Sequence, residues 1–233
     1  MNTAGSHMNH DNRGIYVRYV KRILDFTISL ISLIVLSPLL LLLAVIGAIA
    51  MHGNPFFVQA RPGRKGPDGE EQIFHLVKFR TMSNKTDRDG KLLPDDLRLN
   101  GYGRFLRKTS LDELGELVNI IRGDMSFIGP RPLLREYLPF YTEEERHRHD
   151  VRPGLTGWAQ MNGRNNIRNW DERFQYDLEY VRRCSFLFDV KILLLTVPKV
   201  IRRSDILVGK DIQAGRLDDI RRKETALGNT QKV

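Results

Sequence analysis

Cysteine is nearly absent from this chain: Cys184 is the only one in 233 residues. That excludes a disulfide framework and any multi-cysteine metal site, and it fits a reducing compartment. A chain of this length buries a core without cross-links and suits one domain with an appendage. Other familiar chemistries are missing too. No GxGxxG opens a dinucleotide fold, no GxxxxGK[ST] makes a P-loop, and no serine sits in GxSxG. The six histidines form no HExxH or paired metal spacing. Repeats and low-complexity tracts are absent. Acids are outnumbered, 28 Asp+Glu against 37 Lys+Arg, so the formal charge is +9. The excess favours an anionic partner: nucleic acid, an anionic membrane or a phosphorylated substrate. Nucleic acid fits poorly, because the cations are spread through glycine-rich loops and membrane flanks rather than gathered in one stripe.

Formal charge is also absent from Phe26 to Ala60, and Ile28–Met51 is apolar apart from scattered Ser, Gly and Pro. Crossing a bilayer takes roughly 20 apolar residues, so this is a membrane segment. It has no small-residue cleavage site of a signal peptide. Ser37-Pro38 sits in its middle, where a proline removes a backbone hydrogen bond and predicts a kink or break. Arg13, Arg18, Lys21 and Arg22 precede the segment; Arg61, Arg64 and Lys65 follow it. With cations on both flanks, both ends look cytoplasmic. A re-entrant hairpin turning at Ser37-Pro38 and a single kinked span both satisfy these facts. Before the segment, Met1–His7 reads as the scar of a cleaved tag.

The rest divides into a main domain over 55–206, following the membrane-associated 8–54, and a polar surface tail over 207–233. Phe186–Ile201 is apolar but carries Asp189, Lys191 and Lys199, which suits an interfacial helix or a buried core helix. Pro55–Gln59 and Ile73–Thr81 predict two strands around a turn-rich linker, Arg61–Gly69. Alternation puts Lys78 and Arg80 on the face shared with Phe74 and Leu76. Asp87-Arg88-Asp89 matches the DxD metal pattern but lies in a polar loop. Leu111, Leu114, Leu117, Val118 and Ile121 keep helical spacing, and Gly123 stops that helix. Asp150–Asn165, with Arg152 and Arg164, predicts a glycine-rich loop. Asp171–Arg182 returns to helical spacing.

Thr109–Leu114 is the informative stretch. Ser110 with Glu113 forms an S-x-x-E capping box, and acids favour a helix start, so a purely structural role is the first expectation. The chemical alternative is that one carboxylate of the pair Asp112-Glu113 is a nucleophile toward phosphorus and its neighbour holds Mg²⁺, with Arg107 and Lys108 neutralising phosphate charge.

The order of motifs then becomes recognisable: Ser37-Pro38, Lys78-Phe79-Arg80-Thr81-Met82, Ser110-Leu111-Asp112-Glu113, Gly123-Asp124-Met125-Ser126, Gly129-Pro130-Arg131-Pro132, and Arg152 through Gln160 (RPGLTGWAQ). From about Val17 to Arg203 the chain resembles the bacterial sugar transferase family, the monotopic polyprenyl-phosphate phosphoglycosyl transferases. The resemblance implies a helix-rich α+β protein on the cytoplasmic face of a bacterial inner membrane, with a re-entrant helical hairpin, interfacial helices and anionic lipids as partners. It implies transfer of a sugar-1-phosphate from a UDP-sugar to undecaprenyl phosphate, with release of UMP. Asp112 would be the nucleophile and Glu113 would help hold Mg²⁺. Lys78, Arg80, Arg107, Arg131 and Arg152 would grip phosphates, supported by Asp124 and Asp177. The chain looks like the small stand-alone type that starts glycoprotein glycans, whose donor is UDP-N,N′-diacetylbacillosamine. Galactose, N-acetylgalactosamine and other N-acetylated sugars stay open, and a homo-oligomer is compatible with the sequence. The rival readings are a glycosyltransferase that releases UDP through Asp87 and Asp89, and a non-enzymatic membrane scaffold.

Overall fold

The computed structural model describes residues 14–163, 169–202 and 215–230. The tag scar, Arg13, Arg164 and the first part of the expected tail therefore lie outside the described residues. One turn of π-helix, Tyr16–Val20, leads into α1, Lys21–Ala50. The break expected at Ser37-Pro38 is not a loss of helix: α1 runs through Pro38 for 30 residues. Proline leaves the Ile34 carbonyl without its usual donor, and the Ser37 hydroxyl donates to that carbonyl at 2.7 Å, the repair that Ser and Thr commonly provide in apolar helices.

Strands β1 (Phe56–Lys65) and β2 (Glu71–Phe79) pair antiparallel, with Phe56 opposite Phe79 and Pro62 opposite Ile73. The linker expected over Arg61–Gly69 is thus mostly strand. A register irregularity between Pro62 and Lys65 absorbs the proline, and only the tip around Gly69, at φ +81°, turns. Phe74, Leu76 and Phe79 face inward.

After the short α2 (Asp95–Arg98) comes α3 (Gly101–Thr109), capped by the Asn100 side chain, which accepts from Gly103 N–H at 2.8 Å. A 3₁₀ turn, Leu111–Gly115, then leads into α4 (Glu116–Arg122). The helix expected from Ser110 onward is therefore two elements, and it ends at Gly123 (φ +93°) as expected. Short β3 (Ser126–Ile128) runs parallel to β4 (Gly154–Thr156). Between them lie α5 (Glu143–Arg146) and a 3₁₀ turn, His147–Asp150. The loop expected over Asp150–Asn165 holds β4 and α6 (Trp158–Gly163) instead. Its glycines serve close approach: a Cβ on Gly154 would stand 2.1 Å from the Gly129 nitrogen.

Helix α7 (Trp170–Arg183) is followed by α8 (Phe186–Arg202). Helix α8 has one buried side and one exposed apolar side. Phe188, Asp189 and Ile192 are buried, while Leu187, Leu194 and Val197 stay exposed. The final helix, α9 (Leu217–Thr230), corrects the expected surface tail. Leu217 is fully buried among Leu133, Tyr137, Tyr141, Trp170 and Phe174. On the same helix, Arg221 pairs with Glu145 at 2.7 Å and Asp171 at 2.9 Å. Spaced apolar residues on a polar helix are enough to dock it.

Candidate active site

The acids sit where the 3₁₀ turn presses on β2. Gly115 permits this approach, since a Cβ there would lie 2.8 Å from the Val77 carbonyl oxygen and 3.1 Å from the Lys78 Cα. Asn119, fully buried, locks the contact. Its Oδ1 accepts from the Val77 N–H at 2.9 Å, and its Nδ2 donates to the His75 carbonyl at 2.7 Å and to Asp124 at 3.1 Å. An amide that satisfies strand groups on both sides fixes register as well as position.

Against this frame three acids meet two cations. Glu113 Oε1 accepts from Arg131 at 2.5 Å and from Lys78 Nζ at 3.3 Å. Glu116 Oε1 takes the same Lys78 at 2.8 Å. No ion pair engages the Asp112 carboxylate among the described residues. Burial raises its pKa above the usual carboxylate range, and neighbouring Glu113 adds to that; Lys78, Arg131 and its own backbone N–H oppose it. Glu113 and burial act in opposite senses on Arg131, and Glu113 wins, so that guanidinium titrates above its ordinary value. The result is a carboxylate outside the ion pairs found among the described residues, next to two cations held by other acids.

The capping box is not formed. Ser110 is left-handed (φ +55°) and its hydroxyl makes no cap bond; Glu113 N–H goes to the Ser110 carbonyl at 3.2 Å instead. With the α-helix start moved to Glu116, Asp112 and Glu113 belong to the preceding 3₁₀ turn.

Lys78, Asp112, Glu113 and Arg131 are thus brought together. Arg107 lies at the exit of β2, its Nε donating to Thr81 Oγ1 at 3.1 Å, and Arg80, the residue before Thr81, is half-buried. The other candidates stand at one remove. Asp124 supports Asn119. Asp177 accepts from Arg148 at 2.7 Å and 3.1 Å, and Arg148 in turn donates to the Arg131 carbonyl at 2.8 Å. Arg152 faces Asp25 of α1 at 3.8 Å rather than the acids. Asp87 Oδ1 accepts from the backbone of Asp89 and Lys91, both at 2.9 Å, closing a local turn.

Sequence reasoning missed Glu116, Asn119 and Arg148. Glu116 carried a signal, since it lies four residues after Asp112 and so on the same helical side.

Carboxylate oxygens are the hard donors Mg²⁺ prefers. That ion is commonly held by one or two carboxylates, with substrate phosphates and water completing its shell. Asp112 and Glu113 fit that pattern; no cage of three or more His, Cys, Asp or Glu side chains exists among the described residues.

Comparison with known proteins shows the family of the chain. A family described as bacterial sugar transferase matches residues 16–203. The chain is 45% identical over 197 residues to the uncharacterized sugar transferase EpsL of Bacillus subtilis, covering 84% of this chain and 95% of that protein. It is 36% identical over 200 residues to the UDP-glucose:undecaprenyl-phosphate glucose-1-phosphate transferase of Xanthomonas campestris, covering 82% of this chain and 40% of that protein. A protein of the same name in Escherichia coli is 36% identical over 197 residues, with 78% of this chain and 40% of that protein covered. The chain thus spans less than half the length of the latter two and nearly all of the first. With the match running from the membrane helix through the acid pair to α8, the chain belongs to the bacterial sugar transferase family.

Proposed function

We propose that the protein transfers a sugar-1-phosphate from a UDP-sugar to undecaprenyl phosphate in two steps. In the first, an Asp112 oxygen attacks the β-phosphorus, and the bond from that phosphorus to the bridging oxygen breaks. UMP leaves with that oxygen and its electron pair, and a phosphosugar is left on the Asp112 carboxylate. In the second, an oxygen of the lipid phosphate attacks the same phosphorus and releases Asp112. The carrying observation is that, among the described residues, Asp112 alone of the three acids forms no ion pair, while Lys78 and Arg131 stand on its neighbours. These cations offset charge on the phosphate oxygens, the main service a protein can give phosphoryl transfer. Mg²⁺, bound with help from Glu113, would neutralise further diphosphate charge.

The reading includes re-entry of α1 from the cytoplasmic face of the inner membrane. A straight helix of its length would be about 45 Å long. Yet its start and its end both lean on the same domain. Arg22 donates to the Ile120 and Ile121 carbonyls, both at 2.6 Å. At the other end Tyr102 donates to the Leu43 carbonyl at 2.7 Å and Asn100 to the Ala50 carbonyl at 2.9 Å. A passage through the bilayer would part these contacts. The exposed Ile31, Ile34, Leu41 and Leu42, with Leu187 and Leu194 of α8, are the surfaces offered to lipid, and the flanking cations suit anionic headgroups. Cysteines placed at Arg18 and His52 should both be labelled by a cytoplasmic-side reagent; labelling of only one end refutes re-entry.

For the donor we propose an N-acetylated UDP-sugar such as UDP-N,N′-diacetylbacillosamine, with UDP-glucose as the alternative favoured by the relatives' names. A UDP-sugar panel with undecaprenyl phosphate and Mg²⁺ tests both the donor and the reaction. UMP from wild type, lost in folded Asp112→Asn, is the expected result. UDP as product, or silence across the panel, overturns it.

A further inference from the structure

We propose that Glu116 is a positioning residue for this transfer: it holds Lys78 beside the acid pair, so that the ammonium is divided between two carboxylates rather than captured by Glu113. The role rests on the reaction proposed above.

Glu116 opens α4 and is 1% exposed. Its neighbours Leu117 and Ile120 are core residues. A charge in such a place costs free energy unless it is paired. Among the described residues only half of it is paired: Oε1 meets Lys78 at 2.8 Å, and buried Oε2 has no hydrogen-bond partner. A residue needed only for packing would be apolar here. The charged groups that face it are Lys78 from β2, Glu113 from the turn, Arg131 after β3 and Arg61 from β1.

The geometry assigns the Lys78 bond its purpose. Glu113 Oε1 is already taken by Arg131 at 2.5 Å. Lys78 lies farther from Glu113, at 3.3 Å, than from Glu116. Without Glu116 the ammonium would keep one of its two ion-pair partners and would close on Glu113, crowding a second cation onto an oxygen already in use. With Glu116 it stays between strand and turn, where a small shift brings it to a phosphate oxygen of the donor. The close approach at Gly115 sets the first residue of α4 directly opposite Lys78.

Steady-state kinetics on the full-length enzyme separate this role from a structural one. Glu116→Gln should lower kcat roughly 10–100-fold, the range seen when a partner that orients a reacting-site group is lost. KM for the UDP-sugar should not rise, because a negative charge facing an anionic donor has been removed. UDP itself should bind Glu116→Gln no more weakly than wild type, but bind Lys78→Met more weakly. Because Glu116 acts through Lys78, the double variant Lys78→Met/Glu116→Gln should be no slower than Lys78→Met. Glu116→Asp keeps the charge and should recover part of kcat, which also covers the case of a poorly folding Gln variant. Wild-type kcat in folded Glu116→Gln, losses that multiply in the double variant, or a folded Asp variant as slow as Gln would each overturn the proposal. Absence of UMP from wild type would refute the reaction and this role together. UMP from wild type with unaltered Glu116→Gln would refute the role alone.

Discussion

Asp177→Asn gives the sharpest test of how the site wall is held. Arg148 and Asp177 are both almost fully buried, with side chains 1% and 3% exposed. Their bonds are 2.7 Å and 3.1 Å long. Removing one partner of a buried pair leaves an uncompensated charge and costs about 3–5 kcal/mol. Two contacts survive the substitution. Arg148 keeps its 2.8 Å bond to the Arg131 carbonyl, and it stays over the Tyr141 and Phe174 rings at 5.9 Å and 5.8 Å. The loss should therefore sit at the low end, about 3 kcal/mol. At about 2–4 °C per kcal/mol for a domain of this size, Tm should fall by roughly 6–12 °C. Thermal unfolding in nanodiscs measures it. The paired replacement Arg148→Met/Asp177→Leu removes both charges and should unfold above Asp177→Asn. A drop in Tm within about 3 °C of wild type for the single variant, or a double variant less stable than the single, would refute the reasoning.

Other outcomes follow from the same geometry. Ser110→Gly should raise stability by up to about 1 kcal/mol, since glycine relieves the left-handed conformation and no cap bond is lost; a denaturant midpoint lowered by that much would mean the hydroxyl is used. His149 is buried, donates Nδ1–H to the Gly63 carbonyl at 3.0 Å, and is held neutral by burial and by Arg148, Lys65 and Arg146, with its pKa well below the ordinary value. A base depressed in the folded state contributes stability above its unfolded pKa of about 6.5 and loses it as pH falls below that. Tm should thus drop between pH 7.5 and 5.5 in wild type and less steeply in His149→Gln; equal slopes would exclude the effect. Chelation by EDTA should abolish UMP release and Mg²⁺ restore it, and full turnover after chelation would remove the metal from the reaction.

Much of the molecule follows from local pattern. An uncharged apolar run makes a membrane helix wherever it falls, Gly123 ends α4 because a left-handed residue suits glycine, and the spacing of Asp171–Arg182 is realised as α7. The acid pair, too, stood out by residue type and neighbourhood. What these local rules could not supply is which distant groups meet. Ser110 and Glu113 have the spacing of a capping box, yet contact with β2 moves the helix start to Glu116, because tertiary packing outweighs the ~1 kcal/mol of a cap. Asn119 reaches a strand 42 residues away, and Asp25 of the membrane helix takes up Ser126, 101 residues on. Arg152 thereby turns to α1 rather than to the acids. The glycines of 154–163 read as loop because chain freedom and close backbone approach leave the same residue in the sequence. Only the pairing of β3 with β4 separates the two. Ion pairs and backbone approaches of this kind depend on distances in space, and local composition carries no record of those.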